Sequence, residues 1–172
     1  MADWSKAVKK GALGEFIVDA LLSKKNIVPY HPVFDGPHPF DRLCASLDKK
    51  RLYIIEVKTK ARRTHYPDTG INIRHYNEYK YVRDHYNIPV FLVFVDEGER
   101  RIYGNFLTKL EKPKAVATER WHAPIVNYPL EENGIIYFPL NSMIDIAKLD
   151  EREAEKLKEL SARSYLYKTV QG

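Results

Sequence analysis

The stretch RLYIIEVKTKARR, Arg51 to Arg63, is the most strand-like segment of the chain. In an extended strand successive side chains alternate between faces. Glu56 and Lys58 therefore share one face, while Tyr53, Ile55 and Val57 share the other. Two more acid-x-Lys triplets occur, Asp48-Lys49-Lys50 and Glu78-Tyr79-Lys80. The first falls in a turn and the second on a helix, where residues two apart diverge. Only Glu56 and Lys58 project side by side, and an apolar strand that carries such a pair needs a reason for it.

The upstream segment FDRLCASL also reads as a strand, joined to the first through Asp48-Lys49-Lys50. A two-residue loop at Lys49-Lys50 sets Asp48 opposite Arg51, Leu43 opposite Glu56 and Asp41 opposite Lys58. Opposed residues share a face, so Asp41, Glu56 and Lys58 converge. A slip by one residue would send Asp41 to the other side. Two carboxylates held ~4 Å apart repel by roughly 4 kcal/mol at an effective dielectric near 20. A divalent cation removes that cost, and Mg²⁺ takes one or two carboxylates, waters and phosphate oxygens. Such an ion polarises a phosphoryl group and activates water, while an adjacent ammonium offsets transition-state charge. The chemistry indicated is phosphodiester hydrolysis. The competing explanation is an exposed strand face with an ordinary salt bridge.

Working outward, Leu13, Phe16, Ile17, Ala20 and Leu21 recur at helical spacing between Gly11 and Leu22. That periodicity turns Glu15 and Asp19 toward solvent. A loop with Pro67 and Gly70 leads to a helix over NIRHYNEYKYVRDHY, then to PVFLVFV, a strand buried on both faces, and to a strand at RRIYGNFL. Residues 111–133 read as an insertion, with Trp121 expected to anchor it in the core. A strand at GIIYFPL precedes a C-terminal helix at about 150–166, whose Asp150 and Glu153 form a capping box. The predicted class is α/β, a mixed central sheet flanked by helices, in one domain over 1–172.

Composition agrees with a soluble globular chain: 172 residues, 44% hydrophobic and 30% charged. No apolar run approaches the roughly 20 residues that span a bilayer, so no membrane partner is expected. One cysteine and no secretory leader point to the cytoplasm. Cys44 falls on the opposite face from Asp41 and is expected to be buried and inert. The net charge of +5 suits a polyanion without requiring one.

Pro39-Phe40-Asp41, followed after fifteen residues by Glu56-Val57-Lys58 in an apolar strand, resembles the PD-(D/E)XK nuclease superfamily. Gly11-Ala12-Leu13-Gly14-Glu15 resembles the G-x-x-G-E opening of its Holliday junction resolvase-related members. His75-x-x-x-Tyr79 occupies the place of a Gln-x-x-x-Tyr pair on the helix after the E-x-K strand. The resemblance covers roughly residues 11–95. It implies a restriction-endonuclease-like core and a Mg²⁺-dependent DNA endonuclease, with Mn²⁺ as a substitute. Asp41, Glu56 and the Val57 carbonyl would hold the metal, Lys58 would orient the water, and Glu15 would assist. Lys60, Arg62 and Arg63 are expected on the phosphate backbone, with His75 and Tyr79 at the DNA. The partner is duplex or branched DNA, and a homodimer is compatible with the class. The alternative is a non-catalytic nucleic-acid-binding module of the same fold.

Overall fold

The computed structural model describes residues 4–33 and 40–161, which leaves Pro39 and the expected helical residues 162–166 outside the described part. A long helix, α1 (Trp4–Lys24), is followed by β1 (Pro29–Tyr30) and the hairpin of β2 (Arg42–Ala45) and β3 (Leu52–Thr59). Next come β4 (Asp68–Asn72), α2 (Ile73–Tyr86), β5 (Val90–Asp96) and β6 (Arg101–Phe106). β3 and β5 run parallel, with Ile54 beside Val90 and Thr59 beside Val95. A parallel pair needs a crossover, and β4 with α2 supplies it. The central sheet has the order β1-β2-β3-β5-β6-β11, where β11 (Ile144–Lys148) is a strand unforeseen from the sequence. This is the mixed α/β architecture that the sequence predicts.

Each face of the sheet carries its own core. On one face α1 and α4 (Glu151–Glu159) bury Ile17, Val18, Leu22 and Leu157 against Ile55, Val57, Val93 and Val95. On the other, Tyr79 of α2 packs with Ile54, Leu92, Phe94 and Phe138. Glu56 and Lys58 alternate with the first set, so they open on the α2 side. The capping box of α4 forms as expected, with Asp150 accepting from Glu153 N and Glu153 from Asp150 N.

The hairpin register is two residues away from the predicted one. Arg42 pairs with Ile55, Leu43 with Ile54 and Cys44 with Tyr53. Ser46 N donates to the Arg51 carbonyl at 2.8 Å, which closes a four-residue loop in place of the expected two. Asp48 stabilises that loop by accepting from the Ser46 hydroxyl and from Lys50 N, and Lys49 takes the left-handed conformation at φ 56°. Because the shift is even, every side chain keeps its face. Leu43 still joins the α2 side and Cys44 the α1 side. Continued one residue, the register sets Asp41 beside Glu56 instead of Lys58.

Helix α1 lies about one residue rotated from the predicted phase. It buries Gly14, Ile17, Val18 and Leu22, leaving Phe16 70% exposed. Gly14 sets the phase: a Cβ there would overlap the Thr59 hydroxyl and lie 2.9 Å from Thr59 Cβ. The backbone can approach the end of β3 that closely only through glycine. Gly70 is strand rather than loop, since β4 pairs with β10 (Ile135–Pro139), which pairs in turn with β9 (Leu130–Glu132). Within the expected insertion, β7 (Lys114–Ala117) and β8 (Ile125–Tyr128) make a separate hairpin. Among the described residues, no helix is long and apolar enough to cross a membrane.

Candidate active site

Glu56 is the most enclosed carboxylate of the expected set, with its side chain 5% exposed. Burial of that kind requires donors, and three converge on it. Lys58 Nζ donates to Oε1 at 2.6 Å, the Tyr79 hydroxyl makes a short hydrogen bond to the same oxygen, and Asp41 N donates to Oε2 at 3.1 Å. Asp41 returns the link by accepting from Val57 N at Oδ2, 2.9 Å away. Each acid is thus anchored by a backbone N–H of the other's segment, so the residue just before β2 and the middle of β3 hold one another. Burial, then the neighbouring Asp41 charge, pushes the Glu56 carboxyl above its ordinary range, with Lys58 opposing. The Tyr79 hydroxyl is driven far above its usual value by burial and by Glu56.

Glu15 does not face open solvent as bare helical phase implies. It is half-buried and reaches the same end of the hairpin from the α1 side, through an arginine that the sequence reading passed over. Arg42 is fully buried. Its guanidinium donates to both oxygens of Asp19, to the Glu15 carbonyl at 3.2 Å and to the Glu15 carboxylate at 3.4 Å. Nη1 lies 3.9 Å from Asp41. Burial, followed by the Asp41 charge, raises the Glu15 carboxyl, and Arg42 partly reverses the rise. A signal was present in the sequence: Arg42 alternates in phase with Cys44, on the buried face, and a buried guanidinium demands carboxylates.

On α2, His75 is partly buried, its ring 6.3 Å from that of Tyr79. Burial, then the Lys58 charge, lowers its basicity. Tyr79 itself is only 3% exposed, with Lys58 Nζ 5.6 Å above its ring, so it is an internal support of Glu56 and not a surface for DNA.

The basic run has partners within the fold. Lys60 Nζ donates to the Gly70 carbonyl at 3.0 Å. Arg62 binds Glu99 at 2.9 Å and Glu119 at 3.0 Å. Arg63 grips Asp68 with two nitrogens, binds Glu132 at 2.6 Å, and lies between the rings of Tyr66 and Tyr137. These cations cross-link the loop after β3, and the buried Asp68 and the acidic turn at 96–99 gain the partners that a desolvated carboxylate requires. Trp121 is a correction: it is 88% exposed and not anchored in the core. Cys44 is buried as expected, its thiol pushed up to about 11 by burial.

Asp41 and Glu56 offer carboxylate oxygens at one place, and the raised Glu56 carboxyl marks a charge that a cation could relieve. Among the described residues, no group of three or more His, Cys, Asp or Glu side chains is placed to hold a metal. Two carboxylates with open positions for water suit Mg²⁺, which retains much of its hydration, better than a closed zinc site. No protein-family model and no curated protein matches the chain. Among solved structures it is similar to Hjc, a Holliday junction resolvase from Archaeoglobus fulgidus. The TM-score is 0.47 and the identity 10%, over 77% of this chain and 90% of that one.

Proposed function

We propose that the protein is a Mg²⁺-dependent nuclease that hydrolyses DNA phosphodiester bonds at Asp41, Glu56 and Lys58. The observation that carries this reading is the reciprocal lock of Asp41 and Glu56 with the Lys58 ammonium 2.6 Å from Glu56. Asp41, Glu56 and the Val57 carbonyl would hold Mg²⁺, or Mn²⁺ in its place. Bound there, the cation supplies Lewis-acid polarisation of a phosphoryl oxygen and a more acidic water. Tyr79 and Asp41 N keep Glu56 in one rotamer. Lys58 Nζ spends one proton on Glu56, and its other two serve the attacking water or a non-bridging oxygen, where negative charge develops. Glu15 stands behind Asp41, and Arg42 sets how closely its carboxylate approaches.

The test is nicking of supercoiled plasmid and of synthetic four-way junctions in Mg²⁺, Mn²⁺ or EDTA. Metal-dependent cleavage that falls at least about 100-fold in Lys58→Ala supports the assignment, the magnitude usual for loss of one preorganised charge-stabilising donor. Cleavage undiminished in Lys58→Ala overturns it. Salt-sensitive DNA binding with no cleavage by either protein returns the non-catalytic binding module.

A further inference from the structure

The loop after β3 and the β7–β8 hairpin build a second surface, joined to β3 by the loop that begins at Lys60. Arg63 lies 3.8 Å from the Tyr137 ring centroid and 4.0 Å from that of Tyr66, and Arg120 lies 4.9 Å from Tyr66. Tyr137, Arg63, Tyr66 and Arg120 are thus linked by successive ring–guanidinium contacts. The series ends at the hairpin turn on Arg120, an exposed residue. Trp121 follows, 88% exposed, with the His122 ring edge-on at 5.6 Å. His122 adopts the left-handed conformation at φ 64°, which completes the tight turn. A surface depression of about 400 Å³ is lined by Arg62, Arg63, His65, Tyr66 and Arg120.

The turn is fixed to the loop and does not dangle. Glu119 N donates to the His65 carbonyl at 3.1 Å, Arg62 binds the Glu119 carboxylate at 3.0 Å, and Thr118 N donates to the Pro124 carbonyl at 3.1 Å. The loop begins at Lys60, two residues past Lys58. Trp121 and Arg120 are consecutive exposed residues of this fastened turn, so an indole face and a guanidinium are both open to a flat ligand. An unpaired base has a free π-face that suits both groups, whereas in a blunt duplex those faces are stacked.

We propose that Arg120 and Trp121 form a stacking site for an unpaired base of a DNA strand. Resting on the nuclease reading, this makes DNA with unpaired bases, at a branch or in a single strand, the substrate class of the candidate active site. Arg62 and Arg63 hold the platform in place through their carboxylate and ring partners, and the exposed Arg120 and Trp121 meet the base.

The experiment is a fluorescence titration in EDTA on a Trp4→Phe background, which leaves Trp121 as the sole indole. The probes are an oligothymidylate, an abasic strand of equal length and a blunt duplex. The oligothymidylate is expected to quench Trp121 and the abasic strand to leave it nearly unquenched. By anisotropy of labelled strands, Trp121→Ala and Arg120→Ala each weaken the base-bearing strand at least about five-fold and the abasic strand less than two-fold. Trp121→Phe, which keeps a ring, recovers most of the affinity. Equal behaviour of the base-bearing and abasic strands, or no quenching by either, overturns the proposal. Cleavage is scored separately in Mg²⁺ with Lys58→Ala beside it, so a failed nuclease and a failed stacking site give different results.

Discussion

At the scale of a residue, Glu56 combines two demands that oppose each other: it is buried and it stands beside Asp41. Its carboxyl is raised from an ordinary value of 4.5 by burial and then by Asp41. A raised acid binds its proton more tightly in the folded than in the unfolded chain. Its contribution to stability is therefore full below the ordinary value and is lost as pH rises through the raised one. In EDTA, Glu56→Gln removes that dependence, so thermal melts of the variant and the wild type diverge in the variant's favour as pH increases from 4.5 to neutrality. Parallel melts would mean that Lys58 and Tyr79 fully compensate the burial, and the reverse trend that they more than compensate it. Mg²⁺ acts on the same charge. At about 100-fold excess over its Kd it is expected to add about 2.7 kcal/mol to the stability of the wild type. Asp41→Ala abolishes the gain, measured as the Tm shift between EDTA and Mg²⁺.

At the scale of an element, helix α1 separates what periodicity can settle from what only contact settles. The sequence marks a helix from Gly11 to Leu22, but two apolar stripes one residue apart compete for the core, and hydropathy does not choose between them. The choice falls to Gly14, where backbone meets Thr59, and to Asp19, which satisfies the buried Arg42. Both are long-range facts with no local signature. Gly14→Ala forces helix and strand apart and is expected to destabilise by about 1–3 kcal/mol. Gly11→Ala, whose Cβ meets nothing within 4 Å, is neutral or stabilising by up to about 1 kcal/mol. Urea melts of the two variants distinguish these glycines, which look equivalent in G-x-x-G-E. The β2–β3 hairpin shows the same division. Alternation assigned each side chain to the correct face, while the loop length, decided by Asp48 and a left-handed Lys49, displaced the partners by two.

At the scale of the whole molecule, charge distribution was the least legible property. Arg62 and Arg63, with Lys60, read as a basic strip in sequence because three of the carboxylates that meet the arginines are distant: Glu99, Glu119 and Glu132 belong to three later segments. Folding turns the strip into a junction where the loop after β3 meets the β5–β6 turn, the β7–β8 hairpin and the sheet of β4, β10 and β9. Asp68 is the deepest point of that junction. It is fully buried, and it accepts from both sides of Arg63 and from the Tyr128 hydroxyl at 2.6 Å. Removing one partner of a buried ion pair leaves the other charge uncompensated, so Arg63→Ala is expected to destabilise by about 3–5 kcal/mol. Adding Asp68→Asn removes the stranded charge and restores part of the loss, a coupling that a double-mutant cycle in urea reads directly. A phosphate-contacting Arg63 would behave in the opposite way, leaving stability unchanged and reducing the salt dependence of DNA binding by about one counterion. The two signatures share no outcome, and on the geometry of Asp68 the first is the one expected.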